Sequence, residues 1–506
     1  MGILGDNPVL ILLGGATALS VLYIIGIVVQ RLWFHPLSKY PGSFLCRVSQ
    51  IPATYSVLTG RLPMFTKSQH DKYGPIVRLS PNELSFNSAQ AWEDIYGHRL
   101  GRPNMAKDPI HVGSVDPVPG VSTISMADNE THARQRRALS HGFSQQALWG
   151  QEEIVQSYIT KLLDNFKSFT EKGESFNIVD WWNFLTFDVI GDLSFGESFG
   201  CLDRGDFHFW ITLIFKAVQA GAIEAATRRL ATPGSPLQKY LMRWIPNELR
   251  KQRKDHLSYS REKVLNRLSD TKTERKDFIH YILRQSKRVD LSQDEIIVNG
   301  ALFIVAGSET TAMTLSAMTN FLIRHPEKFE KLKREVRGAF KFEQEITVEK
   351  ATDLEYLNAC IQETLRMLPP APVGFLRSIP KGGDNIDGEY LVEGTTVSVS
   401  SWCAQHNPAN FKNPDDFIPE RWFDAEYASD HKLASRPFSL GPRGCIGKNL
   451  AYMEMRIAMA RFIWLYDFST TDGAHDWDQE GQMKNMVAYN TWVKPELNVK
   501  LTPIRR

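Results

Sequence analysis

Phe438-Ser439-Leu440-Gly441-Pro442-Arg443-Gly444-Cys445-Ile446-Gly447-Lys448 is the stretch on which the reading of this chain turns. One cysteine stands among three glycines, a proline and an arginine, just before a helix predicted to begin near Lys448. Gly441, Gly444 and Gly447 permit positive φ and close backbone approach. Backbone N–H groups near a helix start favour negative charge, so a thiolate is stabilised at Cys445. Such a loop makes Cys445 a candidate metal ligand, with Arg443 placed to meet an anionic group beside it. A buried structural cysteine in a Gly-rich turn is the plainer alternative. The combination of Phe438, Gly441, Arg443 and Gly447 at these offsets favours the ligand.

Four further clusters lie upstream. Glu363 and Arg366 are three residues apart on a predicted helix and share a face, and Pro369-Pro370 ends that helix. An exposed pair of this kind contributes little. Ala306-Gly307-Ser308-Glu309-Thr310-Thr311 lies inside a long apolar helix, where small and hydroxyl residues weaken the backbone ladder and permit a local bulge. A site of close helix crossing is the alternative. His132-Ala133-Arg134-Gln135-Arg136-Arg137 sets His132 and Arg136 four residues apart, both able to donate to a carboxylate. Arg134 and Arg137 read as a solvated basic face or as a surface for an acidic redox partner. Arg377 follows Pro372-Val373-Gly374-Phe375-Leu376.

Phe438, Gly441, Arg443, Cys445 and Gly447 together resemble the haem-binding signature of the cytochrome P-450 superfamily, without departure. The other clusters resemble further motifs of that family in family order, and Phe417-Ile418-Pro419-Glu420-Arg421-Trp422 resembles its PERF-type segment. The resemblance implies haem b as cofactor, with Cys445 as proximal iron ligand and Phe438 and Arg443 in the haem-binding set. It implies a buried network of Glu363, Arg366 and Arg421 bracing the proximal loop. Thr310 falls where the family contacts dioxygen, Glu309 where it relays protons, and Ala306 where space is left above the iron. His132 stands where the family commonly has Trp; with Arg136 and Arg377 it falls among the propionate ligands. The implied fold is mainly α with small antiparallel β-sheets, the cytochrome P-450 fold, preceded by one transmembrane helix.

The amino-terminal segment fits that picture. Val9 to Val29 carries no charge, and 21 residues at 1.5 Å each reach roughly 30 Å, one bilayer core. A signal peptide is the rival, with Ala16-Thr17-Ala18 as a cleavage pattern; Asp6 and the lack of Lys or Arg in the leader speak against it. Arg31, Lys39 and Arg47 follow the span and place the remainder in the cytoplasm. The expected organisation is an anchor over 1–30, a connector over 31–42 kept extended and stiff by Pro36 and Pro41, and a catalytic domain over 43–506. The implied location is the endoplasmic reticulum membrane, single-pass, with the catalytic domain on the cytosolic side.

The rest of the 506-residue chain is consistent with one large folded unit. Hydrophobic residues make up 42% and charged residues 23%, which excludes a disordered chain. A net charge of +2 removes the electrostatic case for nucleic-acid binding. Five cysteines without a CxxC pair exclude a zinc ribbon and read as free thiols. Strand alternation appears at 76–80 and 83–86 and again between Phe375 and Ser400. Helical periodicity predicts helices at 130–140, 151–168, 180–195, 206–222, 250–269, 275–287, 292–324, 326–340, 353–368 and 448–465.

By resemblance the chain is a monooxygenase taking electrons from NADPH through a separate NADPH-cytochrome P-450 reductase, with cytochrome b5 as a further candidate partner. The wording of its motifs is similar to fungal microsomal members of secondary metabolism, of the isotrichodermin hydroxylase type, which implies a lipophilic terpenoid or polyketide substrate. No GxGxxG in a βαβ setting is present, so the nicotinamide binds elsewhere. Substrate walls are expected from the 100–126 loop, the aromatic 205–245 segment, Ala301 to Ala306 and Val373 to Leu376. The 205–245 segment either dips into the membrane surface or packs as ordinary core. Two rivals remain: a haem-thiolate isomerase, dehydratase or coupling enzyme, and a non-catalytic haem sensor.

Overall fold

Apolar residues at helical spacing bury one another by stacking helices, and the longest helix sets the frame. The computed structural model describes residues 8–99, 101–110, 118, 120–270, 275–285, 291–471, 477 and 486–504. Its principal helices are α1 (Pro8–Val29), α2 (Asn129–Leu139), α3 (Ile178–Phe195), α4 (Phe209–Leu230), α5 (Gln293–Arg324), α6 (Glu355–Met367) and α7 (Lys448–Leu465). α5 begins at a capping box: Glu295 N–H donates to the Ser292 hydroxyl (3.2 Å), and Ser292 N–H donates to the Glu295 carboxylate (2.9 Å). α3, buried along its length except at Asp180, crosses α5.

The crossing explains Gly307. A Cβ there would lie 2.7 Å from Ile190 Cδ1 of α3, so any larger residue forces the helices apart. The bulge that the cluster at 306–311 permits is not formed, and α5 runs unbroken through it. The hydroxyls of Ser308 and Thr310 donate to the carbonyls of Ile304 (2.6 Å) and Ala306 (2.8 Å). A carbonyl oxygen has two lone pairs, so it accepts the hydroxyl without losing the ladder amide.

Strands β1 (Ile76–Ser80), β2 (Glu83–Phe86), β3 (Ala106–Lys107), β4 (Arg377–Ser378) and β5 (Thr396–Val399) form one sheet in the order β1-β2-β5-β4-β3. The expectation of antiparallel sheets needs one correction here. β2 and β5 run parallel, with Glu83 opposite Thr396 and Phe86 opposite Val399. They come from distant segments, and a parallel pair needs the long crossover that the helices between them provide. The remaining pairs are antiparallel, including a hairpin of Asp384–Ile386 with Glu389–Leu391 turned at Asp387-Gly388, both at positive φ.

The first segment departs from an extended connector. Beyond α1 the helix continues through Gln30–Phe34 and stops where the residue before Pro36 must be extended, at His35 (ψ 142°). Two turns follow, closed by Ser38 N–H to His35 O (2.8 Å) and Tyr40 N–H to Leu37 O (3.1 Å). Leu37 and Tyr40 are buried beside Trp92, and burial of these apolar rings and chains favours docking over extension. Leu12–Phe34 is long and apolar enough to cross a membrane and is not buried against the rest of the chain.

Most predicted helices are present, the last with the bounds expected. Leu62–Tyr73 and Ala89–Tyr96, not proposed from the sequence, are also helical. The 205–245 segment divides. Trp210, Ile211 and Ile214 pack in the core, whereas Leu237, Tyr240 and Trp244 are exposed; the side chain of Phe215 lies outside the described residues. All five cysteines are free.

Candidate active site

Cys445 sits in a loop whose backbone leaves few alternatives. Gly441 has φ 69°, and a Cβ there would lie 2.0 Å from the carbonyl oxygen of Tyr96. Cys445 N–H donates to Phe438 O (2.8 Å) and Gly444 N–H to Gly441 O (3.0 Å), which closes the loop ahead of α7. The thiol opens into a cavity of about 300 Å³. Burial pushes its pKa up, while N–H groups of Gly447 and Lys448 and the charge of Arg136 pull it down.

Across that cavity stands α5. Leu302, Ala306 and Thr310 line it one turn apart, and Phe438 and Ile446 line it beside the cysteine. Glu309 is not among its walls. Successive helical residues point about 100° apart, so Thr310 takes the cavity face and Glu309 the next. There its Oε2 accepts from Lys494 Nζ (2.6 Å) in a separate cavity lined also by Asp180 and Asn183. Its Oε1 is buried without a partner.

One rim of the Cys445 cavity is cationic. His132, Arg136, Arg377 and Arg443 all line it, as the family motifs imply, and Lys107 joins them. No ion pair within 4 Å links any of the five to a carboxylate among the described residues. Arg443 donates through Nη2 to Ala127 O (2.7 Å) and Asn129 Oδ1 (3.1 Å), but its Nε and Nη1 are buried without partners. Arg136 Nη1 donates to Gly444 O (2.7 Å). Burial and then the neighbouring cations lower the pKa of His132 to about 4 and of Lys107 well below the ordinary lysine range. Like charges gathered in a dry site call for an anion.

A profile of the family described as Cytochrome P450 matches residues 45–496. The chain belongs to the cytochrome P450 family. It is 44% identical over 502 residues to the cytochrome P450 monooxygenase aba2 of Botryotinia fuckeliana (strain B05.10), covering 97% of this chain and 95% of the relative. It is 40% identical over 500 residues to a trichothecene C-15 hydroxylase of Fusarium sporotrichioides, covering 98% of each. It is also 40% identical over 481 residues to the cytochrome P450 monooxygenase astJ of Aspergillus oryzae (strain ATCC 42149 / RIB 40), covering 94% of each. Its family is thus one of monooxygenase enzymes, with relatives in fungal secondary metabolism.

The cytochrome P450 family implies haem, and the residues present fit it. Among the described residues no group of three or more His, Cys, Asp or Glu is placed to hold a metal ion. A single thiol on the cavity wall suits a metal that brings its other ligands in a macrocycle. The orphaned nitrogens of Arg443 and the uncompensated cationic rim suit two propionates.

Glu363, Arg366 and Arg421 meet as the cytochrome P450 motifs imply. Glu363 accepts from Arg366 Nη2 (2.8 Å) and from Arg421 Nε (2.9 Å), and all three side chains have no exposure. Two further partners were not anticipated: Trp422 Nε1 donates to Glu363 (3.0 Å), and Asp430 pairs with Arg421 (2.5 Å). Arg134 bonds Glu295 of α5 (2.5 Å) rather than standing free for a redox partner; Arg137 is exposed.

Lys107 is the site residue that sequence reasoning missed. It carries no motif, lies on a two-residue strand, and reaches the rim because β3 pairs with β4, setting Lys107 opposite Arg377. A second chamber of about 300 Å³ shares Ser125 and Phe375 with the first. Of the expected substrate walls, 100–126 contributes Ile110, Ser125 and Met126, and Val373 to Leu376 contribute fully. Residues 100, 111–117 and 119 of that loop lie outside the described residues. Among the described residues of 205–245 it is Gly221, Ala222, Ala225 and Arg229 that line the chamber.

Proposed function

We infer that this cytochrome P450 hydroxylates a lipophilic small molecule of fungal secondary metabolism, of terpenoid or polyketide type, while anchored in the endoplasmic reticulum membrane by 1–30. The observation that carries this reading is the opposition of Cys445 and Thr310 across one cavity with a cationic rim. Bound haem supplies oxygen activation and insertion of one oxygen atom into a C–H bond, with electrons from NADPH delivered singly by a separate reductase.

The chain's own residues do the rest. Cys445 would ligate the iron, and Lys107, His132, Arg136, Arg377 and Arg443 would hold the propionates. Ala306 leaves room, since its methyl is the smallest side chain that keeps the helix. The Thr310 hydroxyl donates to Ala306 O, which aims its oxygen lone pairs into the cavity as acceptors. Glu309, released from Lys494, takes up a proton from solvent and relays it to that hydroxyl directly or through water, and the hydroxyl passes its own proton into the cavity. The acid and hydroxyl pair favours oxygen chemistry over isomerisation or dehydration. Arg31, Lys39 and Arg47 keep the catalytic domain (43–506) on the cytosolic side. There it meets the reductase, with cytochrome b5 as a further donor.

The test is the carbon monoxide difference spectrum of the reduced full-length protein beside Cys445→Ser. A long-wavelength Soret band is expected in the wild type and not in the variant. A short-wavelength band in well-folded wild type overturns the assignment of Cys445. Reductase-driven consumption of NADPH and oxygen with a hydroxylated product then separates hydroxylation from oxygen-independent chemistry.

A further inference from the structure

The second chamber holds a feature that oxygen chemistry does not use. Its walls are mostly apolar, and the charged residues that line it are Glu83 of β2 and Arg229 near the end of α4. Arg229 Nη1 donates to Glu83 Oε2 (2.5 Å) and Nη2 to Oε1 (3.0 Å), a bidentate pair with each side chain at most 4% exposed. Ser80 Oγ also donates to Oε2 (3.1 Å). On the same face of α4, Gly221 and Ala225 leave space, and a Cβ at Gly221 would meet nothing within 4 Å.

The pair does more than hold α4 to the sheet. A buried ion pair roughly breaks even against apolar packing, so an aliphatic contact would serve equally as a strap. What the pair adds is a donor and an acceptor of zero net charge in the wall of an apolar chamber. Pockets of this size, at the small end of roughly 300–1,000 Å³, orient their ligands by a few such groups. We propose that Glu83 and Arg229 anchor the substrate and select a compact lipophile bearing a neutral hydroxyl away from the reacting carbon.

The selection follows from charge and hydrogen-bond inventory. Both bonds to Glu83 use the terminal nitrogens of Arg229, and none of the described residues accepts from its Nε. A hydroxyl accepts from that N–H or donates to a Glu83 oxygen, because the pairing through Nη1 and Nη2 leaves Nε on the side of the guanidinium away from the carboxylate. A carboxylate instead adds a negative charge to a site where Asp108 already acts on Arg229 beside Glu83. A hydrocarbon gains nothing from the pair. The inference rests on the reading of the chamber as a substrate site.

The experiment titrates full-length haem-loaded protein with farnesol, farnesene and farnesoic acid, reading the Soret shift from low to high spin. Farnesol is expected to bind about tenfold tighter than either other probe, one hydrogen bond's worth. In Glu83→Leu/Arg229→Leu the three affinities converge, while Glu83→Gln/Arg229→Gln, which keeps donor and acceptor, preserves the preference. Equal binding of the three by the wild type, or a preference that survives the leucine pair, overturns the inference and leaves the lipophile reading standing. No shift with any probe removes both. Should the leucine pair fail to hold haem, the wild-type ranking and the glutamine pair still decide.

Discussion

Arg443 buries two guanidinium nitrogens without partners, and Lys107 sits close enough to Arg443 and Arg377 for their charges to depress its pKa. Gathered like charges are destabilising without an anion, and on the proposed reading the propionates would give the rim charge-assisted bonds. Lys107→Met removes one such bond of about 1.5–3 kcal/mol. Haem loss to an excess acceptor globin should therefore quicken about tenfold or more, while the haem-free protein melts no lower than wild type. Thr310→Ala tests the opposite wall. Losing one hydrogen bond to the reacting oxygen, about 1.4 kcal/mol, should lower product per NADPH about tenfold. Peroxide should rise to match, with the carbon monoxide spectrum unchanged. Unaltered coupling would remove Thr310 from the mechanism. These residues were legible unequally. Cys445, Arg443 and Thr310 stand in motifs, because the chemistry needs those residue types at those offsets. Lys107 has no local signature, and only strand pairing brings it to the rim.

At the scale of elements, α6 and the 417–422 segment are joined through Glu363. Its carboxylate serves Arg366, Arg421, Trp422 and the Ile418 N–H together. Removing the charge of a fully buried partner leaves two guanidinium groups short, at a cost of about 3–5 kcal/mol. Glu363→Gln should lower the melting temperature and express mostly without haem. Normal haem content and stability would mean that the network does not brace the loop. The spacing of Glu363 and Arg366 was readable as an i,i+3 pair, whereas its burial was implied only by the family resemblance, because it depends on Arg421 and Asp430 arriving from elsewhere. α5 shows the same limit. Its small-residue cluster suited either a bulge or a crossing, and Ile190 of α3, packed on Gly307, decides for the crossing.

For the whole molecule, the boundary between the first apolar helix and the rest of the chain lies in contacts rather than composition. Arg78 Nη1 donates to Arg31 O (2.9 Å), and Arg78 N–H to Pro41 O (2.8 Å), so the segment after the helix is tied to the first sheet. A protein beginning at residue 30 should be extracted without detergent and keep the wild-type melting temperature. One beginning at residue 42 loses the burial of Leu37 and Tyr40, about 1.5–3 kcal/mol for each large side chain. It should melt measurably lower; equal melting of the two would show that the docking contributes nothing.

What the sequence by itself determined is local: helical periods, the glycines of the Cys445 loop, the apolar length of the first helix, and the motif residues of the haem site. Each depends on neighbours within a few turns or on a residue type that the chemistry requires. Tertiary structure alone decided the parallel pairing of β2 with β5, the turning of Glu309 toward Lys494, and the docking of Leu37 and Tyr40. It also decided the meeting of Glu83 with Arg229 in the wall of the second chamber. These depend on which distant segments share one volume, and hydrophobic burial, which sets that, is non-directional and leaves no spacing rule in the chain.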